Sequence, residues 1–364
     1  MKITSMALLL CFSAFHLNAQ EIPMFVGTYT NKGSQGIYLY NFNPKTGESV
    51  LQSTTTANNP SFLARSENGK VLYAVDESDV NTAALLAFQV DDGVLSHINT
   101  IPTEGSSSCH VAINNKYPIA AVSNYSSGSL TVFSLQENGA LDEVIQKIQS
   151  QRTGPDKDRQ NASHIHSAFF SEDGTRVYVQ DLGGDVVTIY TVEKIADNFV
   201  LKEKEVIATP GGGGPRHLVF DKAEENLYVL LEMSAEIAHF RRIANKWELV
   251  QSVSINNDDF VGANGAAEIK MTSDGHFIYA TNRGDANIIT LFAIDKEGAI
   301  QKKKVYPTKG KTPRNFNISP DGKYLLVANQ ESDNIIVFER DSLTGELTDV
   351  DKEIQVPTPV CILF

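Results

Sequence analysis

The sequence predicts an all-β chain: a seven-bladed β-propeller of four-stranded antiparallel blades, with the ring closed by the N- and C-terminal strands in one blade. Three observations predict it. First, six stretches repeat one plan of strand, Asp/Asn/Gly-rich turn and strand, beginning at Pro60, Ser108, Ile165, Pro215, Ala266 and Pro313. Second, successive starts, counted on to the matching Pro359, lie 46 to 57 residues apart, the span of a four-stranded blade. Third, a seventh copy is split between the two ends of the chain.

Taken in order, residues 1–20 (MKITSMALLLCFSAFHLNAQ) read as a secretory signal. Lys2 supplies the positive start, Ala7 to Phe15 the short apolar run and Leu17-Asn18-Ala19 a cleavage site. The run falls short of the roughly 20 apolar residues that a membrane-spanning helix needs. The bulky Leu10 before Cys11 argues against a lipid-anchored cysteine. The chain is thus expected to divide into a signal peptide, 1–20, and one propeller domain, 21–364, exported to the periplasm.

Met24 to Tyr29 reads as the second strand of the split copy and Ile37 to Phe42 as its third. In the complete copies, alternating β-branched and aromatic residues bounded by Gly, Asn and Asp mark the strands. A third apolar run follows, such as SLTVFSL at 129–135 or NIIVFER at 334–340. A more polar fourth segment comes next, often opened by a turn such as Glu297-Gly298 or Thr344-Gly345. The irregular spacing falls before the third copy, where QRTGPDKDRQ at 151–160 forms a polar insertion expected as a rim loop. Thr358 to Phe364 supplies the missing first strand, with Pro359 standing where Pro60, Pro215 and Pro313 stand. Joining the two ends in one blade removes open sheet edges.

The chain has 364 residues, 41% apolar and 21% charged, with a formal charge of −13. The acidic balance argues against nucleic acid and anionic membrane surfaces as partners, and leaves room for a local basic pocket. No segment after the signal is apolar enough to span a bilayer. Beyond the signal only Cys109 and Cys361 remain. They are either one disulfide or two thiols, and do not make a disulfide framework. The expectation is a monomer that acts on a small molecule without a cofactor.

In a propeller the first strand of each blade is innermost and lines the central channel. Two sets of equivalent positions converge there. The first follows the Pro-like position: Ser61, Cys109, His166, Arg216, Ala267, Arg314 and Val360. The second ends the second strand: Tyr29, Glu77, Asn124, Leu182, Glu232, Arg283 and Asn329. A purely structural repeat would keep such positions alike. Here they differ from blade to blade, as one asymmetric site requires. Arg216 and Glu232, in the stretch GGGGPRHLVFDKAEENLYVLLE, are the leading pair. They stand 16 residues apart, at the same end of an antiparallel strand pair.

The motifs FVGTYT at 25–30, SHIHSAFFSEDG at 163–174, DLGGD at 181–185, GPRHLVF at 214–220, LLEMS at 230–234, AAEI at 266–269, TNRGD at 281–285 and PRNFNISPDG at 313–322 resemble the seven-bladed propeller lactonase family. That family includes bacterial 6-phosphogluconolactonases and a fungal enzyme that cyclises carboxy-muconate. The resemblance covers the whole mature chain. It implies a catalytic set of His166, Arg216, Glu232 and Arg283, with His164 the alternative to His166. The family pattern HPHS reads HIHS here. It also implies a lactone or sugar-acid substrate at the channel mouth, with His164, Arg314, Asn329, Asn124, Glu77, Tyr29 and His217 as candidate binding residues. The alternatives are a non-catalytic propeller that binds an anion, a sugar or a protein, and a lactonizing enzyme.

Lactone opening needs an activated water, stabilisation of an oxyanion and a proton for the leaving alkoxide. A His or Glu serves as general base. Arg216 or Arg283 can stabilise the developing charge, and Arg314 can fork onto a carboxylate or phosphate. The pair His164-x-His166 has no carboxylate or cysteine at ligand spacing, so no metal is expected. Asp181 and Asp185 read as turn formers. Gly211 to Gly214 lacks the Lys-Ser/Thr of a phosphate loop. No Ser occupies a G-x-S-x-G elbow. Glu268 either faces the channel or caps a turn.

Overall fold

The computed structural model describes residues 21–79, 81–91, 93–196 and 198–364. The predicted signal at 1–20 lies outside the described residues. The rest forms seven four-stranded antiparallel sheets, six of them built from consecutive strands. The seventh joins Pro359–Leu363 to Ile22–Thr28, Gly36–Phe42 and Ser49–Thr56, so one blade holds both ends of the chain. Its register sets Phe25 against Leu363, Val26 against Ile362 and Gly27 against Cys361. We number the blades from the one containing Val71–Asp76, so the blade of Pro215–Phe220 is blade 4 and the split one is blade 7.

The alternation in the strands becomes packing between blades. Apolar clusters lie at each of the seven blade-to-blade contacts, for example Tyr178, Val187 and Ile189 of blade 3 against Leu218, Val229 and Phe240 of blade 4. Second strands are sealed from water on both faces, as in Val71–Asp76 and Tyr324–Asn329. Fourth strands alternate between half-buried and exposed, as in Leu347–Gln355. This gradient explains why the fourth segment reads as polar.

A tyrosine device ties neighbouring blades together. Tyr73, Tyr228 and Tyr279 are buried at the same place in the second strands of blades 1, 4 and 5. Each hydroxyl donates to a glycine carbonyl of the next blade: Gly139, Gly298 and Gly345. Those glycines have φ of 84°, 85° and 72°. That left-handed backbone favours glycine, and it turns the carbonyl toward the neighbour.

Cys109 and Cys361 are both buried as free thiols, which settles the pairing left open by the sequence. Deleting residues 356–364 should lower the unfolding temperature in a thermal melt. The deletion exposes the inner edge of blade 7 and removes Val360 and Ile362, each 2% exposed and worth about 1.5–3 kcal/mol apiece. A truncated chain that melts with the parent would contradict ring closure through this strand.

Candidate active site

Inner strands begin with a β-bulge. In blade 4, Pro215 pairs with Leu231 and His217 with Leu230, so Arg216 has no residue opposite it. Cys109, His166, Arg314 and Val360 are extra residues in the same way. A bulge re-aims a side chain that the two-residue pleat would direct elsewhere. Here it re-aims Cys109, His166, Arg216, Arg314 and Val360 of the first predicted set.

The second set is fixed by a recurring backbone hydrogen bond. The amide just past the second strand donates to a carbonyl just before the first: Tyr29 to Thr358, Glu77 to Asn59, Tyr125 to Ser107, Leu182 to His164, Glu232 to Gly214, Arg283 to Gly265 and Gln330 to Thr312. In blades 2 and 6 the matching residues are therefore Tyr125 and Gln330, one later than the predicted Asn124 and Asn329. Those two asparagines are fully buried. Asn124 bonds Ser108, Ser129 and Thr131, and Asn329 bonds the Thr308 carbonyl and Asn334. They brace strands, and the structure does not bring them to the channel mouth.

At the mouth, Glu232 sits among three guanidinium groups. Arg159 Nη2 donates to its Oε1 at 2.7 Å, and Arg283 Nη2 donates to its Oε2 at 2.9 Å. Arg216 Nε lies 3.2 Å from Oε2 without hydrogen-bond alignment. Burial alone would raise the Glu232 pKa, but Arg283, Arg216 and Arg159 outweigh it and hold the carboxyl at about 2. Arg216, 3% exposed, is lowered to about 10 by burial and by the neighbouring charges of Arg283 and Arg314.

Arg159 belongs to the polar insertion that the sequence suggests as a rim loop. The insertion folds back on itself, with Gly154 N donating to the Gln160 carbonyl and Gln160 Nε2 to the Leu182 carbonyl. It thereby delivers Arg159 to both Glu232 and the Tyr125 hydroxyl. The His164 ring stacks on Tyr125 at 4.4 Å. Across the mouth, Tyr29 donates to Glu77 at 2.8 Å. Arg314 lies over the Tyr29 ring at 5.2 Å and 3.9 Å from Glu77. Among the described residues the Arg314 guanidinium and Arg216 Nη2 make no hydrogen bond. Four guanidinium groups thus face two carboxylates, and the Arg314 guanidinium keeps all its donors unengaged.

Below this layer the channel holds neutral imidazoles. His166 is buried, its Nδ1 has no partner, and burial with the nearby Arg216 charge keeps its pKa far below the ordinary value. His217, predicted as a binding residue, lies deeper, its ring 5.5 Å from those of His166 and His110. Its Nδ1 meets Glu268 at 2.9 Å, so Glu268 faces the channel and does not cap a turn. The aspartates of DLGGD shape backbone, as read. Asp181 accepts from the His164 and Gly184 amides, and Asp185 from those of Gly212 and Gly214. That anchors the glycine run ahead of Arg216.

Glu232 links stability to pH. Its folded pKa of about 2 lies below the ordinary 4.5. The stability it contributes, about 3 kcal/mol, is therefore present above pH 4.5 and lost as pH falls through about 2. Glu232→Gln keeps the shape and removes the titration. Its unfolding free energy should fall less between pH 5 and pH 2 than the parent's in denaturant titrations. Parallel declines would contradict an ionised, guanidinium-held carboxylate.

Residues 23–364 match the family described as Lactonase, 7-bladed beta-propeller. A 6-phosphogluconolactonase of Bacillus subtilis is 33% identical, over 93% of this chain and 97% of its own. Another, of Formosa agariphila, is 36% identical over 92% of this chain and 96% of its own. The solved structure of the Pseudomonas aeruginosa periplasmic gluconolactonase superposes with a TM-score of 0.88 at 29% identity, covering 94% of this chain and 98% of that one. The bulge-and-mouth architecture and these likenesses agree, and the chain belongs to the seven-bladed β-propeller lactonase family.

Proposed function

We propose that this protein hydrolyses a sugar lactone, with or without a phosphate, at the arginine-rich channel mouth. The observation that carries the reading is the excess of guanidinium groups around one ionised carboxylate, with free donors on Arg216 and Arg314 in a protein of net charge −13. The names of the relatives support the reaction class.

In this reading, water adds to the lactone carbonyl carbon. His166, a neutral imidazole at neutral pH, takes the proton of the attacking water. The carbonyl oxygen becomes an oxyanion facing Arg216 and Arg283. When the ring C–O bond breaks, the imidazolium returns its proton to the leaving alkoxide, giving a hydroxy acid. Glu232 is not placed to act as the base, because Arg159 and Arg283 occupy its two oxygens, whereas His166 Nδ1 is unpartnered. Its role is to set the positions of Arg159, Arg216 and Arg283. Arg314, Arg159, His164, Tyr125, Glu77 and Tyr29 bind the substituents of the ring.

The proposal extends to compartment. Residues 1–20 act as an export signal and the mature protein works in the periplasm. The reading rests on the Lys2 start and the apolar run to Phe15, and the Pseudomonas aeruginosa relative is a periplasmic gluconolactonase. Among the described residues no helix is long and apolar enough to cross a membrane. Cell fractionation that finds the protein in the cytoplasm with residues 1–20 retained would remove the export reading.

The test of activity is acid release from a panel of aldonolactones and their phosphates, with and without chelator. The parent should release acid in both conditions. Arg216→Lys keeps charge and loses the planar fork, and its turnover should fall about 10²–10³-fold while its melting temperature moves little. Parent-like turnover in Arg216→Lys, or no release from any lactone, would defeat the hydrolytic reading and leave anion binding at the same mouth.

A further inference from the structure

Below the mouth, a hydrogen-bonded chain runs from blade 6 to blade 4. Asn315 Nδ2 donates to Glu268 Oε2, and the Ile269 amide donates to Glu268 Oε1 at 3.1 Å. His217 Nδ1 meets the same Oε1 at 2.9 Å, and His217 Nε2 faces Arg216 Nη1 at 3.3 Å. Glu268, His217, Asn315 and Arg216 are each no more than 3% exposed, so a donor or acceptor left unpaired among them is costly.

We propose that Glu268 is a positioning residue for Arg216: it fixes the tautomer of His217, and His217 in turn holds the guanidinium.

The donor inventory forces the chain in one direction. Arg216 Nη1 can only donate, so His217 Nε2 must present its lone pair. A neutral imidazole then carries its proton on Nδ1, and that proton needs an acceptor. Glu268 supplies it as a carboxylate. His217 is held neutral because burial lowers its pKa despite the adjacent carboxylate.

An amide cannot substitute for the carboxylate. Asn315 cannot flip, because its Oδ1 accepts from the Ile362 amide at 2.8 Å. Its Nδ2 therefore requires an acceptor at the Oε2 position, while the Ile269 amide and His217 Nδ1 require one at the Oε1 position. A glutamine offers one oxygen and one NH2. It leaves either Asn315 or the Ile269–His217 pair facing a donor. If the NH2 faces His217, the imidazole changes tautomer and turns Nε2–H toward Arg216, donor against donor.

This inference rests on the proposed oxyanion role of Arg216 for its kinetic consequence, but its tautomer claim needs no substrate. Nitrogen-15 NMR of the parent protein should show His217 neutral and protonated on Nδ1. An Nε2–H tautomer would overturn the proposal, whether or not the protein opens lactones. With an active lactone in hand, Glu268→Gln should lower kcat about 10–100-fold with KM little changed. In an Arg216→Lys background the same substitution should cost no further turnover, because the coupled residues act as one unit. Equal losses of kcat in both backgrounds would mean that Glu268 acts apart from Arg216, and would also overturn it. If Glu268→Gln fails to fold, the parent NMR measurement decides alone.

Discussion

The structure at the channel mouth depends on one carboxylate shared by three guanidinium groups. Glu232 comes from blade 4, as does Arg216. Arg283 comes from blade 5 and Arg159 from the insertion before blade 3. At an effective dielectric of about 20, a contact near 3 Å is worth about 5 kcal/mol. Taking each ion from water costs several kcal/mol. The two partly offset, so the net contribution is far smaller than the sum of the contacts. The cluster is a strong device for placement, because removing Glu232 leaves the Arg216 and Arg283 guanidinium groups crowded together without their shared carboxylate.

The propeller makes such a cluster accessible to evolution. Apolar clusters between blades carry the fold, and they lie away from the channel. The bulge at the start of the inner strand and the first residue after the second strand contribute little to those clusters. Arg216, His166, Arg314 and Cys109 can therefore differ while the surrounding blades remain alike. Glycine fits where two backbones meet at the mouth: a Cβ on Gly183 would lie 1.9 Å from the Ala162 carbonyl oxygen. The positioning chain through His217 and Glu268 adds a buried floor that joins blades 4, 5 and 6 beneath the arginines.

Much of this was legible in the sequence, for a physical reason. Strand alternation repeats because every blade must bury two faces, so the blade count, the split closure and the pairing of Arg216 with Glu232 all show in the pattern. The register at Asn124 and Asn329 did not. A polar residue at a strand end looks the same whether it braces neighbours or faces a ligand, and the backbone bond that separates Tyr125 from Asn124 is invisible in one dimension. Arg159 was missed because it lies in an insertion outside the repeat, where no equivalent position points to it. Its surroundings, with Gly154 and Pro155 upstream, signalled a turn and nothing about where the turn leads. Glu268 was left open because its partners, His217 and Asn315, come from the two adjoining blades.

The central claim is that the Glu232-centred arginine cluster, and not another surface of the propeller, receives the substrate. The opposite end of the channel offers an alternative, a cavity of about 470 Å³ lined by Phe62, Phe169, Phe220 and Lys270. A crystal structure with a hydrolysis-resistant sugar lactam distinguishes the two directly. The account predicts the lactam carbonyl oxygen within hydrogen-bond distance of the Arg216 guanidinium, with Arg314 on a ring substituent. A lactam seated only in the Phe62–Lys270 cavity, with the arginine cluster unoccupied, would contradict it.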